Sequence, residues 1–428
     1  MIFFRRLGEA LFAAAQAHAR WDYETSMNIL RNRKKLLLLL LLVTPIFVAS
    51  WAIAADGVDA LPQILGGKKA YSPAFYTPEI FLVSILIGLC AGLITGCIGA
   101  GGGFIITPAL MSAGIKGILA VGTDLFHIFA KAMMGTAVHK KLGNVSVGLA
   151  IAFLVGSGVG VLGGGVVNRT LYETNPVLSD TFISLLYVLM LGFLGIYALI
   201  DFLKLRKQDA EVDAHGGGPA PVSASGKKSL SERLQSTKIP PLIKFDHDLV
   251  PGGKQIPGLF VALCGAVVGF VAAIMGVGGG FLTFPMFVYI LGVSSFTTVG
   301  TDIMQIIFTA GFASITQYAI YGFIFYTLAM GMLLGSLLGI QLGALTTKVI
   351  KGIYIRAFYA IAILAGFANR LFALPGKLAE LEVITLSDET GGVLSIIGNA
   401  TFFLAIGIFA IWVIAKFFTN LRTLRGEE

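Results

Sequence analysis

The sequence predicts an all-α polytopic membrane protein built as two inverted-topology repeats, and three observations carry that prediction. Of the 428 residues, 56% are hydrophobic and 13% charged, against roughly 25% charged in a soluble domain. Apolar stretches recur at about the 20 residues a helix needs to cross a bilayer, without the alternating short segments of a barrel. The run Cys97-Ile-Gly-Ala-Gly-Gly-Gly-Phe-Ile-Ile-Thr-Pro108 returns as Ile274-Met-Gly-Val-Gly-Gly-Gly-Phe-Leu-Thr-Phe-Pro285, 177 positions later, with six of the ten positions from Gly99 and Gly276 identical. After a one-residue slip Val121-Gly-Thr-Asp124 recurs as Val299-Gly-Thr-Asp302, and upstream Gly88 and Gly92 align with Gly265 and Gly269.

Composition also excludes several functions. The net charge of +8 does not imply nucleic acid, because Lys and Arg cluster at segment ends and in one linker, where they set topology. Cys90, Cys97 and Cys264 lie in apolar segments with no CxxC and no His at ligand spacing, so they read as small core residues, with no metal site implied. No HExxH, GxxxxGK[ST] or GxSxG stands in a suitable context, so the chain is not read as an enzyme and no cofactor is expected. The 32 Phe read as lipid-facing or packing residues.

Residues 1–35 set Ile2, Phe3, Phe4, Leu7, Leu11 and Phe12 beside Arg5, Arg6, Glu9 and Arg20, an amphipathic pattern for a cytoplasmic arm lying on the membrane surface. Arg31 to Lys35 then precede the apolar run 36–55. That run reads as an N-terminal transmembrane helix, or as a signal sequence. The first repeat, 79–204, holds segments at 79–97, 99–115, 117–139, 145–168 and 180–203. Five passes take the chain from outside to inside, and Lys140, Lys141, Lys204, Arg206 and Lys207 fall on the inner side.

Residues 205–256, with Gly216 to Pro221 and few apolar residues in their first half, read as a flexible cytoplasmic linker. The second repeat, 257–374, has segments at 257–275, 277–292, 296–318, 324–346 and 354–372. An odd number of passes inverts it relative to the first, and its basic residues move to Lys348, Lys351 and Arg356, one hairpin later. The short pieces 99–115 and 277–292 are candidates for re-entrant segments. A polar external loop from Pro375 to Thr390 leads to a last helix over 391–418, and Arg422 and Arg425 place the C-terminus inside.

Two groups of residues stand out for chemistry. Gly101, Gly102 and Gly103, and likewise Gly278, Gly279 and Gly280, cannot sustain a helix at roughly 1 kcal/mol per glycine. A break inside the membrane is tolerated where it is buried or lines a cavity. The segments starting at Phe104 and Phe281 would then present positive dipole ends to an anion. The alternative is that the glycines let helices approach closely, as expected for Gly88/Gly92 and Gly156/Gly160/Gly164.

The second group is the intramembrane polar residues. Asp124, His127 and Lys131 share one helical face, and their equivalents are Asp302, Gln305 and Thr309, so the cation is present in one repeat only. Such residues are functional hypotheses by default. Asp124 and Asp302, following Thr123 and Thr301, also fit a structural role as N-caps.

On the GxGGGFxxxP motif in both halves, Val-Gly-Thr-Asp in both, and His139-Lys-Lys-Leu-Gly-Asn-Val145, the chain resembles the TauE/SafE sulfite exporter family over about 79–203 and 257–372. The resemblance implies transport of sulfite, sulfonates or related sulfur anions. The arm, the linker and the last helix depart from the compact family pattern.

The expected function is therefore a permease for a small anion in the inner membrane, with the lipid bilayer as surroundings and a proton or sodium ion as candidate coupling partner. The expected binding residues are the two glycine runs, Phe104, Phe281, Thr123, Asp124, His127, Lys131, Thr301, Asp302 and Gln305. An anion channel and a membrane scaffold or sensor are the competing classes.

Overall fold

A computed structural model of the chain describes residues 63–67, 78–98, 102–141, 146–207, 230–246, 253–347, 349–350 and 352–420. The expected arm and the expected helix at 36–55 lie outside the described residues. The first repeat forms α1 (Pro78–Ile98), α2 (Gly103–Ser112), α3 (Gly117–Lys141), α4 (Val147–Thr174) and α5 (Pro176–Lys207). The linker contributes α6 (Leu230–Ser236) and an antiparallel hairpin, β1 (Leu242–Phe245) with β2 (Lys254–Pro257), in which Ile243 pairs with Ile256. The second repeat forms α7 (Gly258–Met275), α8 (Gly280–Pro285), α9 (Ser295–Ala313), α10 (Tyr326–Thr346) and α11 (Gly352–Glu380), followed by α12 (Asp388–Thr419). Eight helices of the described residues are long and apolar enough to span a membrane, and the chain is an all-α polytopic membrane protein.

Both expected breaks are present. α1 stops at Ile98 and α2 starts at Gly103; α7 stops at Met275 and α8 starts at Gly280. Gly102 and Gly279, which precede the restarted helices, have φ of 68° and 88°, values that an L side chain rarely adopts. Ten residues of α2 reach about 15 Å, half the hydrocarbon thickness. The segment expected at 99–115 is therefore a half-length return rather than a full pass. α8 is shorter still and continues as π-helical turns over Met286–Leu291.

Glycine approaches show how the repeats fit together. A Cβ built on Gly92 would sit 2.6 Å from the Ser336 carbonyl oxygen, and one on Gly96 2.8 Å from the Ala344 nitrogen. α1 thus lies against α10, both running the same way. A Cβ on Gly160 would sit 2.7 Å from the Phe270 nitrogen, and one on Gly269 2.8 Å from Ser157 Cα, which sets α4 against α7, again in parallel.

The first helix of each repeat is therefore seamed to the fourth helix of the other. The equivalent helices run antiparallel. Lys377 of α11 reaches Asp180 of α5 at 3.1 Å while Gly366 faces Leu191, and Gly311 of α9 faces Phe129 of α3 while Gly122 faces Tyr318. A two-fold axis perpendicular to the helices, lying in the membrane plane, produces this pattern, so the repeats are inverted.

Two expectations change. The described part of the linker, 230–246 and 253–256, is folded: Leu234, Ile243, Phe245 and Ile256 pack into one apolar cluster with Leu149, Phe153, Val261, Phe287 and Leu291. Burial of those side chains offsets the cost of ordering the segment. Asp246, at the end of β1, accepts hydrogen bonds from Ser294 N (2.9 Å), Ser294 Oγ (2.7 Å) and Thr297 Oγ1 (2.6 Å), fastening the linker to the start of α9. The polar loop expected at 375–390 shrinks to residues 381–387 between α11 and α12. Pro375 lies inside α11, and Ser387 caps α12 by accepting from Thr390 N at 3.3 Å.

Candidate functional site

The two breaks meet. A Cβ on Gly103 would stand 3.0 Å from Val277 Cα, and one on Gly276 2.8 Å from Val121 Cα, so each break is wedged against the other and against α3. Gly103, Phe104 and the rest of α2 through Leu110 are buried. Gly101 and the side chain of Phe281 lie outside what is described. Cys97 and Cys264 are buried core residues, as expected, and Cys90 is partly buried.

α3 brings its polar stripe to this junction from the first repeat. Asp124 and His127 are fully buried. Asp124 Oδ2 accepts from Thr107 Oγ1 of α2 at 3.0 Å, and Asp124 Oδ1 lies 3.7 Å from His127 Nδ1. On its other edge His127 Nε2 is 2.9 Å from Ser336 Oγ of α10. Lys131 points toward α1, where its Nζ donates to Thr95 Oγ1 at 3.4 Å; that same hydroxyl oxygen is 2.7 Å from where a Cβ on Gly102 would be. The ammonium therefore stands beside the start of α2.

α9 brings the counterpart stripe, with a different chemistry. Gln305 Nε2 donates to Asp302 Oδ1 at 2.7 Å and to Thr283 Oγ1 at 3.2 Å. Thr309 Oγ1 donates to Gln305 Oε1 at 2.8 Å and lies 3.0 Å from Ser157 Oγ of α4. A Cβ on Gly280 would be 3.2 Å from Asp302 Oδ2, so a carboxylate already stands at the start of α8. The first break thus has both a cation and an acid beside it, Lys131 and Asp124, and the second an acid, Asp302, without a matching cation. Lys131 is matched by Thr309, which carries no charge.

Neither Asp is an N-cap. Asp124 and Asp302 lie seven residues inside α3 and α9, and Ser294 caps α9 by accepting from Thr297 N at 3.3 Å.

The threonines before them act as latches between repeats. Thr123 Oγ1 accepts from Phe325 N at 2.9 Å, just ahead of α10, and Thr301 Oγ1 accepts from Ser146 N at 3.0 Å, just ahead of α4. Each holds the start of the fourth helix of the opposite repeat, a shared role for the threonine of the duplicated Gly-Thr-Asp.

Residues that periodicity does not single out complete the junction: Thr107, Thr283, Ser157 and Ser336 from the sides, and Tyr187 of α5, whose hydroxyl donates to Met275 O at 2.6 Å at the end of α7. Arg370 of α11 is buried and donates to Ser112 Oγ (2.7 Å), Pro108 O (3.3 Å) and Asn369 Oδ1 (2.7 Å). It holds the last turn of α2.

Comparison with known proteins gives the same picture. A family model described as sulfite exporter TauE/SafE matches residues 84–369. A probable membrane transporter protein, YjnA, of Bacillus subtilis (strain 168) is 26% identical over 265 residues, covering 61% of this chain and 87% of the relative. A second from that organism, YunE, is 24% identical over 272 residues, 62% and 87%. A probable membrane transporter protein of Xylella fastidiosa (strain 9a5c) is 23% identical over 274 residues, 63% and 85%. No solved structure matches.

Proposed function

Since this chain belongs to the sulfite exporter TauE/SafE family and is a multi-pass membrane transporter, we propose that it is a secondary transporter moving a small anion, sulfite, a sulfonate or a related sulfur compound, across the inner membrane. The observation that carries the reading is the position of Lys131. Its ammonium, bonded to Thr95, stands beside the Gly102–Gly103 break, where α2 starts with the positive end of its dipole.

A full cation next to that partial charge offsets part of the desolvation cost of a small anion. Asp302 at the other break disfavours a second anion there, so one anion binds per chain, nearer the first repeat. The linker, the far ends of α5 and α12 and the start of α11 share one face, which we assign to the cytoplasm because Lys204, Arg206, Lys207, Lys348, Lys351, Arg422 and Arg425 gather there in the sequence.

The test is a thermal-shift panel of the purified protein against sulfite, sulfate, thiosulfate, sulfoacetate and acetate, followed by flux into proteoliposomes. A stabilising sulfur anion whose flux saturates and follows an ion gradient is expected. Ohmic, unsaturated current would replace the transporter by a channel, and absence of any flux would replace it by a scaffold.

A further inference from the structure

The Asp124–His127 contact is incomplete in a way its counterpart is not. In the second repeat the residue three positions after the aspartate, Gln305, places an N–H on Asp302 Oδ1 at 2.7 Å. In the first repeat His127 occupies that place, and Nδ1 and Oδ1 stand 3.7 Å apart, beyond hydrogen-bond range. Both atoms are fully buried and neither has a hydrogen-bond partner among the described residues.

The other edge of the ring bears on which nitrogen carries hydrogen. Ser336 Oγ stands 3.2 Å from Leu333 O, which can only accept, and 2.9 Å from His127 Nε2; with its one proton turned to Leu333 O, it accepts from His127 and Nε2 is the donor. Nδ1 of the neutral ring is then a bare lone pair aimed at a carboxylate oxygen. Two acceptors confronting each other in a buried place lack a positive charge between them.

We propose that the His127 Nδ1–Asp124 Oδ1 pair is a proton-binding site, present once per chain and in the first repeat only. Binding forms one N–H bond at Nδ1 with a proton taken from water and converts the contact to a charge-assisted hydrogen bond, which requires the two groups to close by about 1 Å. No electron moves. The charged or titratable neighbours are Lys131, further along the same face, whose charge acts on both Asp124 and His127, and Tyr187 on α5, on which Asp124 and Arg370 both act; on α9, the carboxylate of Asp302 is engaged by Gln305. Thr107 of α2 and Ser336 of α10 close the remaining sides with hydroxyls.

Proton binding stands on the pair itself. Its use as the coupling ion rests on the transporter reading above.

The experiment is nitrogen NMR of 15N-histidine-labelled full-length protein in lipid, from about pH 4 to pH 9, a span that brackets ordinary histidine titration. His127→Gln identifies the signal, and glutamine fits because the second repeat holds Gln305 in the same place. The expected result is an Nε2-protonated neutral ring at high pH that becomes an imidazolium at low pH, with that step lost from the range in Asp124→Asn. A ring that keeps one tautomer throughout, as a bridging water would impose, or a step unchanged in Asp124→Asn, overturns the site.

In proteoliposomes an inward proton gradient should accelerate anion flux in wild type and not in His127→Gln. Equal acceleration in both would refute the coupling role. Failure of wild type to move any anion would refute the transporter reading, while the NMR result still decides the proton site.

Discussion

One methyl group placed two positions apart on α4 should have opposite effects. Gly158 has nothing within 4 Å of an added Cβ, so Gly158→Ala should stabilise by about 0.5–1 kcal/mol, the helix-propensity difference between the two residues. At Gly160 the same methyl would stand 2.7 Å from the Phe270 nitrogen and overlap the Ala266 carbonyl of α7. Backbone cannot swing aside, so α4 and α7 must separate by something on the order of 1 Å, a gap that forfeits a quarter to a half of each dispersion contact it opens. Overpacking of this kind costs about 1–3 kcal/mol.

The two single-methyl variants should therefore differ by about 1.5–4 kcal/mol. Heating purified protein in detergent and reading the surviving monodisperse fraction by size-exclusion chromatography measures the order of the two. Gly160→Ala surviving as well as Gly158→Ala would refute the close seam. Gly163→Ala, whose Cβ would meet only the Phe270 ring at 3.6 Å, should fall between them.

Lys131→Ala should weaken binding of the stabilising anion at least tenfold, or about 1.4 kcal/mol, whereas Thr309→Val at the equivalent position should change it little; equal affinity in Lys131→Ala and wild type at normal protein level would remove Lys131 from the site. Asp246→Ala deletes the acceptor of three hydrogen bonds and should loosen the linker from α9 by about 2–3 kcal/mol, read as faster proteolysis between Gln235 and Lys254; wild-type resistance would show the clasp to be dispensable. A cysteine at Ser225 should react with impermeant maleimide only after the membrane is permeabilised, and reaction in intact spheroplasts would reverse the assigned topology.

The duplication, the inverted topology, the helix breaks and the α3 stripe are all legible in the sequence, because glycine runs, hydropathy and helical periodicity are local signals. What is not legible joins residues far apart in the chain. Thr123 reads as a companion of Asp124, yet it serves Phe325, some 200 positions away. The carboxylate of Asp302 reads as the equivalent of that of Asp124, but Gln305 engages it while His127 leaves its own partner short. The docking of the linker is hidden for a related reason: the apolar residues of 234–256 make no periodic pattern, and the value of Leu234, Ile243, Phe245 and Ile256 appears only against Phe153 and Phe287. Pro375 suggests a longer loop than the chain forms, because a proline near a helix end removes one hydrogen bond without ending the helix.

The parallel glycine seams tie each repeat into the other. α1 belongs to the same strut as α10, and α4 to the same strut as α7, so the covalent boundary between repeats is not a mechanical one. A machine divided along its duplication would have to unzip backbones that touch at every turn. α2 with α3, and α8 with α9, meet the struts through side chains instead: Thr123 and His127 on α3 bond to Phe325 and Ser336, Lys131 to Thr95, and Thr301 and Thr309 on α9 to Ser146 and Ser157. Hydrogen bonds between single side chains can be exchanged one at a time, whereas backbones in contact along a whole helix pair part only together.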